Sequence, residues 1–388
     1  MVRYALLSSF PPRRCGLASF AADLLQATGP ADVVAVEPAG QALTYGPEVV
    51  ARIRRDVPSD YGWAAQVVNA RRLPLVSLQH EYGIFGGDSG RDVLRFLDTV
   101  TAPAVVTCHT ILREPSPAQR AVLVALVEGA ARVVVMSATA RRILQETYRV
   151  APAVIEVIPH GVPEMPFLAT EAAKARLGLD GREVILSFGL LGPGKGYEVV
   201  IEAMAAVARR RPRALFVGVG ATHPDLIARE GEAYRERLLE RRRALDLGGH
   251  VRLVDRYLGR AELLGWLQAA DVFVTPYPGL QQVTSGTLAY AMGAGKPVVS
   301  TPYAHAVELL ADGHGILVEP GSAGSLADAL GWLLEDDARR ERMARRAYAR
   351  GRTMTWPVVG LAYRELFEEV ASAAAGAVAV PVGQHVHA

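Results

Sequence analysis

The chain has 388 residues, half of them hydrophobic, with 42 basic against 40 acidic side chains and two cysteines. That length is about two to three times a typical domain, and the apolar content excludes a chain disordered throughout. Near-balanced charge without a long basic run disfavours a nucleic-acid partner, and Cys15 and Cys108 are too few for a disulfide framework. The cysteine usage fits a reducing, cytoplasmic setting. The apolar run in MVRYALLSSFPPRRC is too short for a secretion signal, and no apolar stretch of about eighteen residues could span a bilayer.

Short apolar runs alternate with longer amphipathic ones. Strands are predicted at 2–7, 32–36, 75–78, 104–107, 132–136 and 154–158, with helical patterns at 17–27, 90–100 and 117–128 between them. Near 160–182 the segment PHGVPEMPF carries three prolines, which resist continuation of helix or central strand and mark a linker. The second half repeats the scheme, with strands at 184–188, 214–219, 251–253, 272–275, 298–300 and 316–318. Its helical patterns fall at 197–210, 224–245, 261–269 and 322–334. Strands alternating with helices, and continuously apolar as in RVVVMS, predict parallel sheets covered on both faces. The expected architecture is α/β, two doubly wound Rossmann-like domains facing a central cleft. Ligands of such sheets bind at the carboxyl ends of the strands. The arginine-rich segment DDARRERMARRAYARGRTM has a thin apolar stripe and reads as a solvated helix face.

Two loops of the second half suit phosphate. In LSFGLLGPGKGYEVV a strand leads through Gly189, Gly192, Gly194 and Gly196 into a helix, where free N–H groups and the helix dipole favour an anion. Lys195 adds a formal charge. Gly196 stands where a P-loop needs Ser or Thr for magnesium, so a metal-free phosphate contact is expected. In TPYPGLQQVTSGTLAYAMGAGKPVV, Thr284, Ser285, Gly286 and Thr287 open a second helix with good N-capping chemistry. Lys296 follows a helix end and reads as a helix-end charge. Only three lysines occur, at 174, 195 and 296.

Three loops of the first half follow strands: PPRRCGLASF with Gly16, QHEYGIFGGDSG with His80 and Glu81, and TCHTILREP with His109. Their polar groups and glycines suit an uncharged, hydroxylated ligand such as a sugar. Zinc ligation by His80, Glu81 and His109 is poorly spaced, and no metal is expected.

These motifs, in this order, resemble the retaining nucleotide-sugar glycosyltransferases of family 4, which have the GT-B fold. The match runs from FPPRRCGLASF through CHT, VIPHGV, FGLLGPGKG, AADVFVTPY, SGTLAYAMGAGKPVVST and ELLADGHGILVEPG to MTWPVVGLAYRELF. It also resembles a bacterial subgroup sharing QHEYGIFGG, GATHP and SGTLAYA. The resemblance implies an acceptor-side domain over 1–165, a donor domain over 166–354, a helix over 355–371 crossing back to the first domain, and a tail over 372–388.

It further implies that Lys195, with Gly194, meets the donor diphosphate, and that Ser285, Gly286, Thr287 and Leu288 form the helix start that binds the same phosphates. Gly16 matches the glycine loop near donor and acceptor, His109 a histidine beside the transferred sugar, and Glu308 a glutamate near the nucleotide. His160 falls at an interdomain hinge position. Three positions depart from the family pattern. Gln282 and Tyr290 stand where two glutamates are usual, for the donor sugar and the ribose, and Leu190 replaces an arginine.

The implied activity is a hexosyltransferase that moves a hexose from a nucleotide-diphosphate sugar, as co-substrate, to a hydroxyl of a saccharide, lipid or small molecule, retaining configuration and needing no metal or other cofactor. Lys195 and the Gly286–Thr287 amides would stabilise the leaving diphosphate, which would itself take the acceptor proton. His109, Gln282 and Glu81 complete the expected catalytic set, with Glu81 either an acceptor-side group or a loop cap. Two alternatives stay open: a catalytically impaired sugar-nucleotide-binding protein of the same fold, and a sugar-nucleotide epimerase.

Overall fold

The computed structural model describes residues 1–378. They divide into two compact units, the first comprising Met1–Gly161 and the segment from Trp356 onward, the second Val162–Thr355. The divisions fall at 161/162 and 355/356, where 165/166 and 354/355 were expected.

In chain order the first unit contains β1 (Tyr4–Ser8), α1 (Gly16–Thr28), β2 (Ala31–Glu37), β3 (Val49–Arg54), α2 (Pro58–Ala70), β4 (Val76–His80), α3 (Val93–Thr99), β5 (Ala104–Cys108), α4 (Pro117–Glu128), β6 (Arg132–Val135), α5 (Ala138–Tyr148) and β7 (Ile155–Val157). Its seven strands lie in the order β3-β2-β1-β4-β5-β6-β7, all parallel. The central strands β1, β2, β4 and β5 are buried along their whole length, as their apolar runs require. β3 is not among the expected strands. Its sequence VVARIR alternates with exposed arginines because it is an edge strand, so it lacks the continuous apolar signal.

The second unit contains α6 (Glu171–Leu177), β8 (Glu183–Phe188), α7 (Tyr197–Arg210), β9 (Ala214–Val219), α8 (Pro224–Glu230), α9 (Ala233–Ala244), β10 (Val251–Val254), α10 (Arg260–Ala269), β11 (Val272–Thr275), α11 (Gly286–Gly293), β12 (Val298–Ser300), α12 (Ala304–Leu309), β13 (Gly315–Leu317), α13 (Ala323–Glu335) and α14 (Asp337–Arg352). Its parallel six-stranded sheet has the order β10-β9-β8-β11-β12-β13. Buried clusters cover both sheet faces, one around Leu186, Phe273 and Leu288, the other around Ile185, Val200 and Leu330. The single helix expected over 224–245 is two, because Gly231 adopts φ 62° and turns the chain between α8 and α9. The α14 arginines pair with nearby carboxylates, Arg340 with Asp337 and Arg345 with Glu341, as a solvated face should.

The last helix, α15 (Trp356–Val378), belongs to the first unit. Trp356 Nε1 donates to Asp23 Oδ2 at 3.1 Å, and Phe367 packs on Tyr4 with ring centroids 4.8 Å apart. The helix outlasts its expected end at 371, since ASAAAGA is rich in the best helix former. The rest of the expected tail, 379–388, lies outside the described residues.

In each sheet the strand order reverses once, between β1 and β4 and between β8 and β11. Loops at the carboxyl ends of those strands border the crevice where doubly wound sheets take ligands. Gly16, Glu81, Lys195, Gln282 and Ser285 follow those four strands, while His109 follows β5 and Glu308 lies in α12 after β12.

Candidate active site

In the second unit, β8 ends in Gly189 and the chain passes through a single 3-10 turn, Pro193–Lys195, into α7. Gly196 makes that entry possible. Its φ is 66°, and a Cβ there would lie 2.1 Å from the Pro276 carbonyl oxygen. Gly194 is different, because a Cβ there would meet nothing within 4 Å.

Lys195 reaches Tyr277, in the loop after β11. Its Nζ donates to Tyr277 Oη at 3.3 Å and lies 4.4 Å from the ring centroid. Tyr277 Oη is 2.7 Å from Thr287 Oγ1, which is 3.2 Å from Ser285 Oγ. One polar chain thus joins Lys195 to the start of α11. A Cβ on Gly189 would be 3.7 Å from Thr287 Cγ2 and 3.9 Å from Lys195 Nζ, so the two loops meet over this glycine.

Ser285 caps α11, its Oγ accepting from Leu288 N at 3.3 Å, and its own N–H donates to His305 Nδ1 at 2.9 Å. The Leu288 amide is therefore occupied and its side chain is buried, so its expected part in the phosphate-binding set is not that of an open donor. The first-turn amides of Gly286 and Thr287 have no protein acceptor among the described residues, as helix geometry dictates. Glu308 is half-buried in α12, one turn beyond His305.

The departures also have defined places. Gln282 Nε2 donates to Thr284 O at 2.8 Å, which commits its amide nitrogen within the loop and leaves Oε1 to accept. Tyr290 lies with its ring against Phe188, centroids 6.2 Å apart, and burial raises its pKa. Leu190 is half-buried between Gly189 and Leu191, whose backbones are fixed by bonds to Val219 and Ala221.

In the first unit, Cys15 caps α1, its Sγ 3.4 Å from Ala18 N and 3.3 Å from Ser9 Oγ. Gly16 opens the helix, and a Cβ there would meet nothing within 4 Å. Phe20, one turn further on, stands edge-on to His109 at 4.8 Å and to His160 at 5.1 Å. His160 Nδ1 donates to Gly161 O at 2.8 Å. Burial, then the neighbouring His160 and His80, hold the His109 pKa well below its usual value.

Glu81 accepts a 2.5 Å bond from Thr110 Oγ1, yet burial outweighs it and raises the Glu81 pKa. The residue stands at the N-terminal end of the turn Tyr82–Ile84, with no side-chain cap bond to that turn. His80 is fully buried with no partner for either ring nitrogen among the described residues, and burial drives its pKa to about 3. Among the described residues no group of three or more His, Cys, Asp or Glu is placed to hold a metal ion. No helix among them is long and apolar enough to cross a membrane.

Four side chains at these sites were not expected from the sequence: Tyr277, His305, Gln79 and Phe20. Tyr277 carried one local signal, an aromatic between two prolines directly after a strand. Gln79, 3.0 Å from His109 Nε2, and Phe20 lie inside the motifs QHEYGIFGGDSG and PPRRCGLASF without a signal of their own, and His305 looked like an ordinary helix residue.

Two parallel α/β sheets, each with its polar loops at the strand-order reversal, define a two-domain protein of the Rossmann-like class. Residues 169–350 match the model of the glycosyl transferases group 1, and 16–164 that of Glycosyltransferase Family 4. A D-inositol 3-phosphate glycosyltransferase of Kineococcus radiotolerans is 30% identical over 304 residues, covering 70% of this chain and 67% of its own. A phosphatidyl-myo-inositol mannosyltransferase of Mycobacterium tuberculosis is 31% identical over 229 residues, covering 56% and 55%. The matches thus span between about half and two thirds of these curated relatives. Anabaena HepE, solved with UDP and glucose, superposes with a TM-score of 0.77 at 17% identity over 95% of this chain and all of its own. The chain belongs to the family-4 glycosyltransferases and has the GT-B fold.

Proposed function

We propose that the protein transfers a hexose from a nucleotide-diphosphate sugar to a hydroxyl acceptor, with retention of configuration and without a metal ion. The second unit takes the donor and the first the acceptor. The observation that carries this reading is the chain Lys195–Tyr277–Thr287–Ser285 beside two open amides at the start of α11. Negative charge grows on the leaving diphosphate during transfer. A fixed cation and preorientated N–H groups at that point lower the barrier, commonly by the largest single contribution. They supply the charge that a metal would otherwise bring.

Gly16 and Gly194 support the same reading. Neither has positive φ and neither is sterically required, so open backbone at both loops suits close approach by a ligand. In the first unit the low His109 pKa favours a neutral ring, which suits sugar hydroxyls better than charge. Retention follows a front-face course in which the departing phosphate accepts the acceptor proton. Glu81, held by Thr110, ties the loop after β4 to the loop after β5 in this scheme. Gln282 Oε1 accepts from a sugar hydroxyl, and Tyr290 takes the nucleotide side.

The relatives named for inositol 3-phosphate and phosphatidyl-myo-inositol make phosphorylated polyols the first acceptors to assay. The test pairs UDP-glucose, UDP-N-acetylglucosamine and GDP-mannose with D-myo-inositol 3-phosphate and with phosphatidylinositol vesicles. Transfer is expected with one pair and lost in Lys195→Ala at an unchanged melting temperature. Wild-type transfer by that variant overturns the reading. Nucleotide binding without turnover favours a binding protein, and donor conversion without acceptor favours an epimerase.

A further inference from the structure

The polar chain that starts at Lys195 ends on His305. This residue is buried in the first turn of α12, in the same unit as Lys195. The loop before α11 is strapped to that turn. Ala304 N donates to Leu280 O at 3.0 Å, His305 N to Gln282 O at 3.0 Å, and Ser285 N to His305 Nδ1 at 2.9 Å. The first two bonds join backbone to backbone, and any residue but proline could make them. The last needs an acceptor on the side chain at 305 itself.

A backbone N–H can only donate, so His305 Nδ1 carries no hydrogen and the ring is neutral, with its hydrogen on Nε2. Turning the ring over would set a carbon against the amide. Ser285 is also buried, and it is extended at φ −136° and ψ 106°. Its Oγ accepts from Leu288 N and lies 3.2 Å from Thr287 Oγ1. Without the imidazole nitrogen, the Ser285 N–H becomes a buried donor with no acceptor, which is costly. The Thr284–Ser285 peptide would turn to relieve it. Peptide units are rigid planes, so the next two, which carry the Gly286 and Thr287 amides, would turn with it.

We propose that His305 is a positioning residue for the nucleotide diphosphate. By accepting from Ser285 it fixes the backbone from which the Gly286 and Thr287 amides project, and so sets how tightly the diphosphate is held. The proposal rests on the donor reading above. It adds a requirement outside the phosphate-binding loops, a neutral imidazole in the segment after β12. A neutral acceptor suits this place, because a carboxylate would put negative charge behind amides that receive an anion.

The test compares the full-length wild type with His305→Phe, His305→Gln and His305→Asn. Phenylalanine keeps a ring without an acceptor, glutamine carries its oxygen one carbon too far out, and asparagine returns an oxygen to the place of Nδ1. Calorimetric titration with UDP, GDP and ADP reads nucleotide binding with no acceptor substrate present. For the nucleotide that the wild type binds, affinity should fall about tenfold to a hundredfold in His305→Phe and His305→Gln, the range for a buried donor left unpaired, and should largely recover in His305→Asn. Histidine ¹⁵N spectra of the wild type, with the His305 resonance identified by its absence in His305→Asn, should show Nδ1 without hydrogen. Wild-type affinity in His305→Phe, no recovery in His305→Asn, or a hydrogen on Nδ1 overturns the proposal. If His305→Phe does not fold, His305→Gln and the wild-type spectrum decide. A wild type that binds none of the nucleotides overturns the donor reading and this proposal together. Lost affinity in Lys195→Ala beside full affinity in His305→Phe overturns this proposal alone.

Discussion

The two ends of the second sheet use the same residue for opposite purposes. At the carboxyl end, Lys195 sits half-buried in a glycine loop, its ammonium held by a tyrosine ring and hydroxyl and, among the described residues, by no carboxylate. At the amino end, Lys174 is buried against Asp271, Nζ to Oδ2 2.7 Å, and Asp271 also accepts from Val184 N at 2.6 Å. Lys296 is buried beside them, its Nζ donating to Gln268 O near the end of α10. A lysine whose charge is already answered within the protein fastens α6 and α10 to the sheet. A lysine left without a counter-ion keeps its charge for something that arrives. Three lysines among 42 basic residues therefore divide into one with no carboxylate partner among the described residues and two fastened within the fold.

The largest expected effect tests the structural end. Lys174→Ala strands the Asp271 carboxylate in a buried site. Breaking such a pair costs about 3–5 kcal/mol. Calorimetry should show the second unit melting earlier while kcat at permissive temperature stays near wild type. A lost kcat with unchanged stability would reverse the comparison.

Lys195→Ala should give the opposite pattern, a loss of about 10²–10³ in kcat with little change in melting, in line with removing one preorganised donor from a developing negative charge. Steady-state rates and thermal melts on the same preparation check both halves of the claim.

How much of this was legible follows from the physics of each segment. The two parallel sheets were readable because strands buried on both faces are continuously apolar, as in Val33–Val36 and Val272–Val274. β3 was not, since an edge strand can expose Arg52 and Arg54. The glycine loop before α7 and the Ser285 cap of α11 were readable because such loops and caps have local signatures. Gln79 was hidden because one polar residue in a buried strand gains meaning only from its neighbours across the sheet, Thr107 and His109. Lys296 was read as a helix-end charge, and it is one. The helix end it serves is α10, nearly thirty positions back in the chain, which spacing alone does not reveal.

The third effect is a slope. Burial lowers the Lys296 pKa from 10.5 to about 8, with Asp271 opposing and Lys174 adding to the shift. Between those values the unfolded chain binds more protons than the folded one, so this group makes stability rise with pH through that window. Below about pH 8 both states are charged and the full burial penalty remains. Lys296→Met should flatten the rise in melting temperature between pH 8 and 10.5. A slope unchanged from wild type would mean that Lys296 is charged in the fold across the whole window.

The smallest effect separates the two ways in which Tyr277 holds Lys195. Tyr277→Phe keeps the buried ring, its stacking on Tyr303 at 5.2 Å and its face toward the ammonium. It removes only the hydroxyl that links Lys195 to Thr287. A hydrogen bond from a charged donor contributes about 1.5–3 kcal/mol, so kcat/KM should fall by no more than about a hundredfold. The ring alone would hold the ammonium near the start of α11 with a wider spread of positions, and Thr287 would keep its contact with Ser285. A loss as large as that of Lys195→Ala would mean that the hydroxyl itself meets the diphosphate. No loss would mean that the ring suffices to place the cation. Either result fixes how the carboxyl end of the sheet keeps the Lys195 ammonium in position without neutralising it, the property that sets it apart from the amino end.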